Sequence, residues 1–329
     1  MHAAYLEAGA DVLVTASYQA TVEGLVRAGV TRGAAPDVLA SSTRLAVEAV
    51  EAFEAEAAEE VPRAGASPRP GAGSRPLVAA SVGPYGAWLA DGSEYDGRYG
   101  LSAAELADFH RERYRLLARS GADLLACETI PSMVEVEALL RLLDETAGVR
   151  CWMSVTCRDG RRMRDGTPVE EAAAVAGAHD RVSAVGFNCT EPVFAGELAE
   201  RIGGSSGRPV VAYPNSGELW DGRRKRWRRG EEGASWIDGV ESAWRAGARI
   251  LGGCCRTGPA EIAELRRRLE HGDWGDGSEH RDGGGRGAWD PMRPPCGSIW
   301  TGSRTSAGRR SKQSARRSSP TSPRATRRS

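Results

Sequence analysis

Hydrophobic positions along this 329-residue chain switch repeatedly between two rhythms. Seven short runs rich in apolar and β-branched residues predict strands: "DVLVTASY" (11–18), "PLVAASVG" (76–83), "ADLLACETI" (122–130), "CWMSVTC" (151–157), "VSAVGFNCT" (182–190), "PVVAYPNSG" (209–217) and "RILGGCC" (249–255). Apolarity that is nearly continuous, not alternating, marks strands buried on both faces, as in a parallel sheet covered by helices. Between the runs lie stretches with apolar residues three and four apart, such as "SAAELADFHRERYRLLARSGAD" and "SMVEVEALLRLLDETAG", each closed by a turn signal before the next strand. The alternation predicts an α/β fold. Because the chain opens inside a helical pattern, "HAAYLEAGAD", with no strand ahead of it, the pattern predicts a (β/α)8 TIM-type barrel lacking its first strand. An open doubly wound sheet is the alternative.

Two segments fall outside the repeat. Residues 54–75 join an acidic helical end to an Ala/Gly/Pro/Arg stretch, which predicts a flexible excursion between a helix and the next strand. From about residue 272 the hydrophobic period is lost, and from Arg304 onward there are nine Arg or Lys and no acid. The expected organisation is a barrel domain over 1–271 and a disordered Gly/Arg/Ser-rich tail over 272–329. A shifted reading frame of a GC-rich gene would yield the same tail bias. A basic tail without interleaved aromatics supports only weak, salt-sensitive contact, so no specific nucleic-acid partner is expected.

Composition narrows the classes. Acidic and basic residues balance at 44 each, which removes any general pull toward nucleic acid or anionic membrane. No apolar run approaches the roughly 20 residues that span a bilayer, and the N-terminus lacks the order of a signal peptide. A cytoplasmic protein without a membrane partner is expected. Seven cysteines, an odd number with no export signal, point to reduced thiols, metal ligation or catalysis and not to a disulfide framework.

Three of those thiols carry the chemistry. Cys189 closes the run "VGFNC", and Cys254 and Cys255 close "GGCC". Active sites of barrels lie where strands end, so the three share one rim. Gly252 and Gly253 let the backbone leave extended geometry just before the pair, so that both sulfurs converge on a metal. Three protein sulfurs with a fourth position open are the pattern of a catalytic zinc, and thiolates select zinc over magnesium or calcium. The open position suits a substrate thiol, which Zn2+ would ionise into a nucleophile toward a methyl group on sulfonium or quaternary nitrogen. Cys127, Cys151 and Cys157 read as small apolar side chains, and Cys296 as incidental. The five histidines follow no metal or triad spacing, and His110 is expected on a solvated helix face.

"GGCCRTGP", "VGFNCTEP", "YPNSGELWD" and "YLEAGADVLVTASYQAT" together resemble the homocysteine S-methyltransferase family from Met1 to about Glu270. The resemblance implies a zinc-containing barrel that makes methionine from homocysteine, with zinc on Cys189, Cys254 and Cys255. It implies that Glu128, in "CETIP", holds the homocysteine amino group, that Tyr18 caps the metal before homocysteine arrives or packs at a strand end, and that Asn188 supports the metal ligands. Asn215 and Glu218 either line the donor pocket or hold a loop. Pterin and cobalamin modules are absent, and the compact form with "YPNSGE" is more similar to the enzymes using S-methylmethionine or S-adenosylmethionine than to betaine-dependent ones. A betaine-type donor and a truncated, non-catalytic zinc-binding relative are the alternatives. The family's opening strand, with its Asp-Gly-Gly motif, has no equivalent here, so either Met1 is internal to a longer chain or the chain is truncated. Adding that strand should close two unpaired edges and raise the melting temperature; equal melting with and without it would count against this reading.

Overall fold

The structure is a computed structural model, and it describes residues 1–59, 75–221, 226–228 and 235–274. Each predicted run forms a strand. The chain opens with α1 (His2–Glu7), β1 (Val12–Val14), α2 (Val22–Arg27) and α3 (Ala35–Glu59), then β2 (Leu77–Val82), α4 (Tyr85–Leu89) and α5 (Ala103–Ala118). It continues through β3 (Leu124–Ile130), α6 (Met133–Glu145), β4 (Cys151–Val155), α7 (Val169–Gly177), β5 (Val182–Asn188), α8 (Ala195–Ser206) and β6 (Val210–Tyr213). A small antiparallel hairpin, β7 (Leu219–Asp221) with β8 (Arg226–Arg228), precedes α9 (Trp236–Arg245), β9 (Ala248–Leu251) and α10 (Pro259–His271).

Seven strands form one parallel sheet in the order β1-β2-β3-β4-β5-β6-β9. Strictly sequential order excludes the doubly wound alternative, in which the order reverses at a switch point. Strands β2 to β6 are buried on nearly every residue, the condition that made them legible as continuous apolar runs. Inward-facing Ala79, Leu124, Ala126, Trp152, Ala184, Val211 and Tyr213 form one cluster that also receives Val12 from the first strand and Ile250 from the last. A single cluster that takes in every strand on one face fits a sheet that curls on itself. Helix α10 fastens the curl: Arg266 donates to the Gly9 carbonyl through Nε (2.9 Å) and Nη2 (2.6 Å), and the Tyr5 hydroxyl donates to the Thr257 carbonyl (3.4 Å). Among the described residues no strand covers the free edges of β1 and β9, and Val14 on β1 is 37% exposed.

The helices follow their periods. In α3 the buried positions are Ala35, Leu39, Thr43, Ala46 and Val50, a single stripe that ends nine residues before the helix does. Its acidic last turns are the helical start of the segment expected to be an excursion; residues 60–74 of that segment lie outside the described residues, as does the tail from 275. The fold extends slightly past the expected boundary at 271, since Trp274 is buried against Trp236, Val240 and Leu265. Cys127, Cys151 and Cys157 are all buried in the main core.

His110 corrects an expectation. It is fully buried, because it falls on the α5 stripe formed by Leu106, His110, Arg113, Tyr114 and Leu117. Its Nε2 pairs with Glu135 Oε1 (2.8 Å), and its Nδ1 accepts from Arg113 Nε (3.1 Å). The same Glu135 oxygen accepts from Tyr85 N (2.6 Å), and Arg113 Nη2 donates to the Gly83 carbonyl. A neutral imidazole thus bridges a buried acid and a buried base, and burial holds His110 well below its ordinary pKa. The triad also pins the start of α4 behind the rim. Replacing His110 with Phe strands both charges and should cost about 3–5 kcal/mol, seen as a melting temperature lowered by roughly 10 °C, with His110→Gln recovering part of it.

Candidate metal and substrate site

The carboxyl ends of β5 and β9 bring the three thiols together. Cys189 leaves β5 in the left-handed region (φ 50°), its N–H donating to the Tyr213 carbonyl (3.3 Å). Cys254 N donates to the Pro214 carbonyl (2.9 Å), and Thr257 folds back so that its Oγ1 donates to the Cys254 carbonyl (2.8 Å). That return is why Gly253 is glycine: a Cβ there would stand 2.2 Å from Thr257 Oγ1. The Cys189 and Cys255 sulfurs lie 3.6 Å apart and those of Cys254 and Cys255 4.0 Å apart, with all three within 4.8 Å. Tetrahedral zinc with Zn–S bonds of about 2.3 Å sets sulfurs roughly 3.8 Å apart, so the spacing fits such an ion.

Electrostatics favours a cation in this place. Hydrogen bonds from Cys254 and Cys255 hold the Cys189 thiol well below its ordinary pKa. The reciprocal effect pushes Cys254 well up and Cys255 up to about 12. One sulfur can ionise at the expense of the other two, and three thiolates require a positive charge among them.

Asn188 ties this cluster to the sheet. Its Oδ1 accepts from Thr129 N (2.7 Å) and Ser154 Oγ (2.8 Å), while Nδ2 donates to Thr129 Oγ1 (2.7 Å) and faces Cys254 Sγ at 3.7 Å. The β3–β4 register shifts between Cys127 and Ile130, and Thr129 adopts a φ of 62°. A β-branched residue in that region is strained by about 1–3 kcal/mol, and the Asn188 amide holds it there. Next to it, Glu128 points into the curled sheet, where Ser81 Oγ donates to Oε1 and the Tyr213 hydroxyl donates to Oε2 (3.0 Å). Trp152 Nε1 in turn donates to the Tyr213 oxygen (3.1 Å). Burial pushes the Glu128 carboxyl up to about 7 against the opposing pull of those two hydrogen bonds.

Tyr18 lies beside the same group. Its ring rests on Gly83, where a Cβ would meet it at 2.6 Å, and its phenol is hydrogen-bonded by Thr129. Burial and then the charge of Cys189 raise its pKa well above the ordinary value, so the phenol keeps its proton. Asn215 and Glu218 reach the rim, but their contacts hold loops. Asn215 Oδ1 accepts from Gly217 N (3.4 Å), and Glu218 pairs with Arg256 (2.6 Å) in the turn after the double cysteine. Sequence reasoning missed Tyr95, whose hydroxyl stands 3.4 Å from Cys189 Sγ, and also Ser81 and Tyr213 around Glu128. Tyr213 and Ser81 sit near strand ends and could have been found by position; Tyr95 lies in a long connection that no periodicity marks.

A curled parallel sheet with a thiol cluster at its carboxyl rim defines an α/β-barrel protein with three sulfurs placed where they could hold a soft metal ion. The homocysteine S-methyltransferase family profile matches residues 1–269. The chain is 39% identical over 265 residues to homocysteine S-methyltransferase YbgG of Bacillus subtilis (strain 168), covering 80% of this chain and 81% of that protein. It is 45% identical over 275 residues to homocysteine S-methyltransferase 3 of Arabidopsis thaliana, with 82% and 79% covered. The homocysteine methyltransferase MmuM from Escherichia coli, solved in a metallated form, superposes with a TM-score of 0.69 at 40% identity, covering 81% of this chain and 82% of that one. The chain therefore belongs to the homocysteine S-methyltransferase family.

Proposed function

We propose that this protein transfers a methyl group from S-methylmethionine or S-adenosylmethionine to the thiol of homocysteine, giving methionine, with a zinc ion held by Cys189, Cys254 and Cys255. The observation that carries the reading is the three-sulfur cluster, spaced for a tetrahedral ion with one position left for the acceptor. When bound there, zinc supplies acidity, making the acceptor a sulfur nucleophile at neutral pH. The protein's own residues bind and aim. Asn188 orients the Cys254 side of the cluster. Glu128 receives the ammonium group of homocysteine from inside the sheet, while Tyr18 and Tyr95 crowd the Cys189 side and limit water there. In the transfer the acceptor sulfur forms a bond to the methyl carbon, and the breaking bond leaves its electron pair on the donor sulfur. A positively charged sulfonium becomes a neutral thioether, so the leaving group needs no proton and no general acid is required. Asn215 and Glu218 shape the rim through the loop contacts described above.

A betaine-type donor and a non-catalytic metal-binding relative are the competing readings, and one assay separates them. Methionine should form from homocysteine and S-methylmethionine, stop on chelation and resume with added zinc, and Cys255→Ser should lose both activity and bound zinc. Turnover that survives chelation removes the metal from the mechanism; product with betaine alone changes the donor.

The acceptor site should also depend on pH. Glu128 pairs with an ammonium group only as a carboxylate, and its pKa stands at about 7. The KM for homocysteine should therefore rise as pH falls through about 7, whereas Glu128→Gln should show a high KM at every pH without that step. A wild-type KM that stays flat across this range would remove Glu128 from acceptor binding.

A further inference from the structure

Among the described residues, two charged side chains near Cys189 each have a buried atom without a hydrogen-bond partner. Arg164 lies in the connection between β4 and α7, and that connection is fixed on both sides of it. Arg164 N donates to the Thr156 carbonyl (3.3 Å), Asp165 N donates to the Pro131 carbonyl (3.1 Å), and the Asp165 carboxylate accepts from Met133 N (2.9 Å). Thr156 Oγ1 in turn donates to the Cys189 carbonyl (3.2 Å), which ties the connection to the thiol cluster. The Arg164 guanidinium carbon stands 5.3 Å from the centre of the Tyr95 ring, and the Tyr95 hydroxyl is the one that meets Cys189 Sγ. Its Nε is buried with no hydrogen-bond partner among the described residues. Immediately before Tyr95, in the short helical turn Ser93–Tyr95, Glu94 also has a buried carboxylate oxygen, Oε2, without a partner. Gly86 lets this turn pack closely, since a Cβ there would stand 2.3 Å from Glu94 N. Both charges act on the cluster: Arg164 is among the groups that lower the Cys189 pKa, and Cys189 is among those that raise that of Glu94.

An unsatisfied buried donor and an unsatisfied buried acceptor are each costly, and two such atoms beside one tyrosine ask for a ligand that meets both. The guanidinium edge suits a carboxylate, and the carboxylate suits an ammonium group. Such a pair is the head group of a zwitterionic amino acid. The acceptor's ammonium already has Glu128 inside the sheet, so a second head group belongs to the other substrate. We infer that Arg164 and Glu94 bind the amino-acid head group of the methyl donor, Arg164 taking its carboxylate and Glu94 its ammonium. The inference rests on the methyl transfer proposed above and favours its amino-acid sulfonium donors over a betaine, whose quaternary nitrogen has no N–H to donate to Glu94.

The test compares zinc-loaded wild type with Arg164→Met, Arg164→Lys and Glu94→Gln. At saturating homocysteine, Arg164→Met and Glu94→Gln should each raise the KM for S-methylmethionine on the order of ten- to a hundredfold, and Arg164→Lys should recover part of the loss. The KM for homocysteine and the zinc content should not change. If Arg164 served only to balance the charge of the thiolates, zinc content or the homocysteine KM would shift while the donor KM stayed put, and that result overturns the inference. Isothermal titration of S-methylmethionine into the same proteins separates this site from the reaction. Binding that depends on Arg164 without any methyl transfer upholds the head-group site and removes the proposed reaction. Binding that neither substitution weakens overturns the site whatever the activity.

Discussion

The side-chain amide of Asn188 is the tie on which the rest of the rim depends. From the last residue of β5 it reaches Thr129 on β3 and Ser154 on β4 and faces the sulfur of Cys254 beyond β9. An amide has one accepting oxygen and a donating NH2 group, and here both are engaged, so its orientation is fixed from every side. The bulge that sets Glu128 and Thr129 at the end of β3, the left-handed exit at Cys189 and the placing of the Cys254 sulfur are one arrangement held by one group. An aliphatic side chain of the same size would leave Thr129 in a strained backbone with an unpaired N–H.

Close approach, more than backbone freedom, explains the glycines at this end of the sheet. Gly83 makes room for the ring of Tyr18, Gly86 for the backbone of Glu94 and Gly253 for the return of Thr257, and none of the three has a positive φ. The "GG" ahead of the double cysteine invited a reading based on conformational freedom. Packing supplies the reason at Gly253, and at Gly252 the nearest neighbour would be in ordinary contact at 3.4 Å.

What could be read from the chain alone follows physical lines. Parallel strands buried on both faces leave long apolar runs, so all seven strands and the sequential fold were legible, as was the meeting of three cysteines that each follow a strand end. The first run was read longer than the strand it makes, because after Val14 the hydroxyls of Thr15 and Ser17 bond each other and the backbone of β2, and the chain turns. His110 was misplaced by weighing its polarity above its position on the α5 stripe. Tyr95, Glu94 and Arg164 were out of reach for a different reason: they belong to connections, where neither period of two nor period of 3.6 operates and only the packed structure shows which side chains meet.

The fastening of α1 to α10 also sets the order in which the molecule can be made. Arg266 grips a carbonyl 257 positions earlier, and Cys254 and Cys255 stand on the last strand of the sheet. Contacts of that span are entropically the slowest to form, and during synthesis they must wait until nearly the whole sheet has left the ribosome. Until then Cys189 lacks the sulfurs of Cys254 and Cys255, so the three-thiol cluster is a late product of folding, and a nascent chain carries one thiol where the finished protein has three together.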